Sequence, residues 1–241
     1  MKILDLLEDP YQSIKKDINL NRDIKSNPKN KSEYDAKGYF STVKDKKNDP
    51  FIVRKTSNHF IDKDLYRGDQ YDAKEHDGYW EFIDDIITHP ELKNNPFFPR
   101  VYNIKTIIDK SGKKVYRADI EKLHPFMETI PDKTLLSYLS SLFTKEASHK
   151  IINISNPAFV FRGATPYYSS ILKFVLYISG ITDGEHSIND IDNNEFKEAV
   201  KYIQAKSGKW FSDIGVNNLM LRLTNHGPQL VFSDPLGGKS I

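Results

Sequence analysis

Three side chains in the last thirty residues carry oxygen at spacings that could do chemistry. In Phe211-Ser-Asp-Ile-Gly-Val-Asn-Asn-Leu-Met-Leu-Arg222, Asp213 is followed five residues later by Asn218, and Asp234 stands beyond them in the run Val231-Phe-Ser-Asp-Pro-Leu236. Mg²⁺ prefers octahedral oxygen coordination, keeps several waters and is commonly held by one or two protein oxygens plus substrate phosphates, so one Asp and one Asn amide oxygen form a suitable pair. A second carboxylate beside them can accept a hydroxyl proton. The chemistry would be phosphoryl transfer. Asp and Asn five apart also cap ordinary turns, so the decision rests on what the rest of the chain supplies.

The composition leaves room for that chemistry and removes several others. The 241 residues are 38% hydrophobic and 28% charged, which suits a folded globular protein. With 35 basic and 33 acidic residues the net charge is +2, and the overall balance points neither to nucleic acid nor to an anionic membrane surface. Cysteine is absent, which excludes disulfides, a thiolate nucleophile and cysteine-ligated metal centres, and suits the cytoplasm. The seven histidines form no HExxH pattern or pair at metal spacing. No apolar run approaches the roughly 18 residues of a spanning helix, and neither an export signal nor a membrane partner is expected.

The elements that must position the three oxygens follow from periodicity. Residues 1–20 carry Ile3, Leu6 and Leu7 on one face of a short helix, and a polar connection follows to residue 37. Gly38-Tyr-Phe-Ser-Thr-Val43 and Phe51-Ile-Val-Arg-Lys55 read as a hairpin across a turn at residues 44–50. A helix is expected over residues 72–88, from Tyr79, Trp80, Phe82, Ile83, Ile86 and Ile87, with Pro90 as a stop. Strands follow in the segment ending at Ile108 and in Val115–Leu123. Helical stripes then run from Leu135 to Phe143, from Ile171 to a stop at Gly180, and from Phe196 to a stop at Gly208. The runs Leu219–Leu223 and Gln229–Ser233 form a second hairpin. A β-rich half before an α-rich half gives an α+β class with two lobes.

With those elements in order, the chain resembles the protein kinases. That family uses an Asp, a metal-binding Asn at the spacing D-x-x-x-x-N, and the Asp of a following Asp-Phe-Gly; here Asp213, Asn218 and Asp234-Pro-Leu stand in those places. Upstream, Gly38–Val43 takes the place of the loop over the phosphates, Lys55 that of the strand lysine, and Val115–Leu123 that of the strand entering the hinge. The single loop glycine, Glu75-His-Asp-Gly-Tyr-Trp-Glu-Phe82, Phe98-Pro-Arg-Val-Tyr102 and the Asp-Pro ending are most similar to the small serine/threonine kinases of T7-like bacteriophages. The resemblance covers roughly residues 36–236.

It implies a bilobal fold: an N-terminal segment over 1–37, a β-rich N-lobe over 38–122, and a short, truncated helical C-lobe over 123–241 that ends seven residues after Asp234. It implies ATP and Mg²⁺ as cofactors, Ser or Thr of host proteins as substrates, and action in an infected bacterial cytoplasm. Gly38, Phe40, Ser41 and Val53 would cover the nucleotide, with Ile120 in the gatekeeper position and Glu121 and Leu123 along the adenine. Lys55 would orient the α- and β-phosphates, Asp213 would take the hydroxyl proton, and Asn218 and Asp234 would hold the metal. Arg54 rivals Lys55, because a one-residue slip exchanges the faces of a strand. For the helix carboxylate that holds the lysine, Glu75 is favoured over Glu81: at about 100° per residue Glu81 falls nearly opposite the apolar stripe, and Glu75 lies beside it. Two positions depart from the kinase pattern, Phe211 where a His is usual and Gly215 where a Lys is usual. They keep open a kinase-like protein that binds and inhibits a host factor, and a small-molecule phosphotransferase.

Overall fold

The structure is a computed structural model and describes residues 35–37, 41–57, 73–110, 112, 114–125, 137–154 and 168–239. The expected N-terminal helix, Gly38, Phe40 and the start of the Leu135 stripe lie outside those residues, as does the side chain of Glu75. Within them the chain is a mixed α+β protein.

Five antiparallel strands, β1 (Asp35–Lys37), β2 (Ser41–Lys46), β3 (Asp49–Ser57), β4 (Val101–Ile108) and β5 (Lys114–Glu121), form one sheet in the order β1-β2-β3-β5-β4. The β2–β3 hairpin is tighter than the expected turn over 44–50, since both strands continue to a two-residue turn at Lys47-Asn48. Asn48 adopts a φ of 70°, which Asn tolerates better than most residues. Register places Arg54 and Lys55 on opposite faces of the sheet. Lys55 sits opposite Val43 and Ala118 and is buried, while Arg54 sits opposite Lys44 and Asp119 on the other face. There Arg54 donates two hydrogen bonds to Asp119, at 2.7 and 3.0 Å.

The helix expected over 72–88 is broken. A short α1 (Ala73–His76) gives way at Asp77 to α2 (Gly78–Thr88). The backbone of Asp77 forms a β-bridge with Gly238, and its side chain accepts from the Tyr79 amide at 3.0 Å, so it caps the second helix and cannot continue the first. The apolar stripe of α2 is buried except for Ile87, which is exposed, and Tyr79, Trp80, Phe82 and Ile83 are fully enclosed. Pro90 starts one further turn, α3 (Pro90–Lys93).

Beyond the sheet, β6 (His124–Pro125) leads to α4 (Lys145–Asn153), α5 (Tyr168–Thr182), α6 (Asn194–Lys206), β7 (Trp210–Ser212), the hairpin β8 (Leu219–Thr224) and β9 (Gly227–Phe232), and β10 (Leu236–Lys239). The expected stripe to Phe143 stops early: residues 137–140 are helical, Phe143 bridges Ile191, and Thr144 caps the unanticipated α4 through the Ala147 amide. Helix α5 passes Gly180 and ends two residues later; the hydrogen at that position admits the His186 ring, which a Cβ would meet at 2.6 Å.

One hydrophobic cluster runs from Val53 and Ile120 in the sheet through α2 to Phe196 and Phe232. Phe97 lies 5.0 Å from Phe196, and Phe196 stacks on Phe232 with ring centroids 5.7 Å apart. Such ring pairs contribute about 0.5–1.5 kcal/mol each beyond their buried area. This seam joins the segment leading into β4 to α6 and β9, the strand that ends beside Asp234. No helix among the described residues is long and apolar enough to cross a membrane.

Candidate functional site

Strand pairing brings the three oxygen-bearing residues together. β7 and β10 run antiparallel with Ser212 opposite Leu236, so the residue after one strand, Asp213, meets the two before the other, Asp234 and Pro235. The Asp213 amide donates to the Pro235 carbonyl at 2.9 Å. The loop then closes on itself: the Asp213 carbonyl accepts from the Gly215 amide at 2.9 Å and from the Asn218 side-chain nitrogen at 2.8 Å. Ser233 fixes the other side, donating to the Asn218 carbonyl from its amide at 2.8 Å and from its hydroxyl at 3.0 Å. Asn218 and Ser233, the residue before Asp234, are thus tied through one backbone carbonyl. The Asn218 side-chain nitrogen is occupied, which leaves its oxygen as the group to offer a ligand.

Lys55 reaches this cluster from the inner face of the sheet. Its ammonium lies 2.5 Å from Asp234 Oδ2, and its Nζ sits over the Tyr79 ring, 3.3 Å from the centroid. Helix α2 comes close because residue 78 is glycine. A Cβ there would stand 2.8 Å from Leu236 Cβ and 2.9 Å from Trp210 Cγ, inside any tolerable contact. Gly78 therefore sets the N-terminus of α2 against β7 and β10, and with it Asp77 and Tyr79 beside Lys55.

Asp77 is the residue that sequence reasoning missed. It is 4% exposed, and burial first, then the charge of Asp234, push its carboxyl up to about 7 against the pull of Lys55 and the Tyr79 amide. Desolvation and Asp234 also raise Asp213, although the Asn218 amide and Lys55 hold it back in part. Three carboxyl groups share the neighbourhood of one ammonium, and the surplus of negative charge is what a divalent cation would relieve. Among the described residues no three His, Asp or Glu side chains converge on a common metal position. The donor set fits an ion that takes one carboxylate and one amide oxygen from the protein and the rest from water and phosphate.

No family model matches the chain, and no curated protein matches it.

The other expected residues fall into two groups. Ser41, Val53, Ile120 and Leu123 are buried in or beside the sheet that carries Lys55. Glu121 differs. Its carboxylate accepts from Arg222 Nε at 2.8 Å, from Arg222 Nη2, and from the Arg100 amide at 2.8 Å, while Arg222 also donates to the carbonyls of Pro96 and Phe98. That side chain ties β5 to β8. Glu81, the alternative to Glu75, faces away from Lys55. Burial opposes its ionisation, but hydrogen bonds from Lys206, Lys209 and Trp210 outweigh that and hold its carboxyl down to about 2. Phe211, in the position usual for His, is 57% exposed.

Proposed function

We propose that the chain is an ATP-dependent serine/threonine protein kinase of bilobal, kinase-like fold, with the cleft between the β-rich part and the helical part. The observation that carries this reading is the meeting of Lys55 with Asp234, next to a loop in which Asp213 and Asn218 are locked by the same backbone contacts. Four residues from two distant parts of the sequence meet here, which supports a phosphoryl-transfer reading.

In the proposed reaction the substrate hydroxyl oxygen attacks the γ-phosphorus of ATP, the bond to the ADP oxygen breaks, and the hydroxyl proton passes to Asp213. A carboxyl whose affinity for protons is raised by burial and by Asp234 is suited to that acceptance. Lys55 orients the α- and β-phosphates. Mg²⁺, held by Asn218 and Asp234, would neutralise charge on the transferring phosphoryl group. Leu123, whose backbone makes no hydrogen bond among the described residues, is free to meet the adenine edge. Positioning and charge neutralisation provide the catalysis.

Since the resemblance is to phage enzymes, host bacterial proteins are the substrates to offer. Incubation with γ-labelled ATP and Mg²⁺ in bacterial lysate should label proteins, and Asp213→Asn and Asp234→Asn should each abolish the label. A folded wild-type protein that binds Mg-ATP and labels nothing would overturn the kinase reading in favour of a binding protein. Transfer to a metabolite alone would move it to small-molecule phosphotransferases.

A further inference from the structure

The geometry points to Tyr79 as a positioning residue for Lys55, acting through the face of its ring. The inference rests on the proposed nucleotide site. Lys55 is 5% exposed and Tyr79 fully buried, so the ammonium lies on the aromatic face away from water, at 3.3 Å from the centroid. Cation–π attraction is strongest when both groups are desolvated in this way. The Tyr79 hydroxyl has no hydrogen-bond partner among the described residues, so the ring face is the part of this side chain in use. Its placement is fixed by neighbours already described: Asp77 caps the helix through the Tyr79 amide, and Gly78 presses that turn onto β7 and β10.

A neutral platform does something a carboxylate cannot. Lys55 is paired with Asp234, and contact with phosphate oxygens requires its ammonium to loosen that pair. The ring supports Nζ in both arrangements and, carrying no charge, neither competes for the ammonium nor repels the phosphates. Tyr79 is thereby a positioning residue that acts on nucleotide only through Lys55.

The test is a cycle on the full chain, with Mg-ATP affinity measured by isothermal titration and folding checked by urea unfolding. Tyr79→Leu should weaken Mg-ATP by about 10- to 30-fold, the fold-change of a desolvated cation–π contact. Tyr79→Phe, which keeps the ring, should stay within about threefold of wild type. In a Lys55→Met background Tyr79→Leu should change affinity by less than about twofold, because the partner it acts through is gone. Equal losses in both backgrounds, or no loss in the wild-type background, would overturn the proposal alone. Failure of the folded wild type to bind Mg-ATP would overturn the kinase reading and this inference with it.

Discussion

Replacing Asp77 by Asn should change how stability depends on pH. The carboxyl moves from an ordinary value of 3.8 to about 7 on folding, a difference of about 3 units. At about 1.4 kcal/mol per unit, ionising it in place opposes folding by about 4 kcal/mol once the pH is above 7. The folded value is the raised one, so the proton stabilises the fold fully below 3.8, and that stabilisation is withdrawn as pH climbs through about 7. Asn keeps the oxygen that accepts from the Tyr79 amide and serves equally well as a helix cap, so the variant loses the titration and little else. Urea unfolding of both proteins from pH 5 to pH 8 provides the assay. The stability of Asp77→Asn minus that of wild type should grow by about 3 kcal/mol over this range and then level off. A difference independent of pH would refute the reasoning and mean that Asp77 is ionised in the fold with its charge fully compensated.

Gly78→Ala should destabilise the fold by about 2–3 kcal/mol in the same assay, because the added methyl meets Leu236 and Trp210 inside contact distance; an unchanged midpoint would show that α2 can back away from β10 freely. Arg222→Met should remove about 3 kcal/mol by leaving Glu121 buried without its counter-ion, and Glu121→Met added to it should restore part of the loss; a double variant as unstable as the sum of the two would refute the pairing.

What is legible in the sequence is what local periodicity controls. Alternation along β3 puts Val53 and Lys55 on one face and Arg54 on the other, and the turn residues at Asn48 and Gly227 mark the hairpins. The Asp213, Asn218 and Asp234 spacing is readable because a short loop and one hairpin separate the three. Asp77 escapes because the apolar stripe suggests a helix running through it. The available signal is an Asp just before the first periodic aromatic, a capping position that ends one helix and begins another. Helix α4 escapes for a related reason: only Ala147 and Ile151 of its residues are buried, too thin a stripe to stand out, although Thr144 marks its start. The Arg222–Glu121 pair joins residues 101 apart, and Lys55 reaches Asp234 across 179; contacts at such separations leave no trace in spacing. Sequence reasoning therefore could not see that Arg222 and the Arg100 amide hold the Glu121 carboxylate.

The Glu81 contacts bear on how freely α2 can move. Lys206 reaches both Glu81 and Asp85 at 2.7 Å, Tyr202 donates to Asp85 at 2.7 Å, and Lys209 and Trp210 complete the set. These bolts join α2 to α6 and β7. Swinging α2 outward would strip two partly buried carboxylates of their partners at once and open the aromatic packing beneath them. A chain built this way holds that helix in a single position.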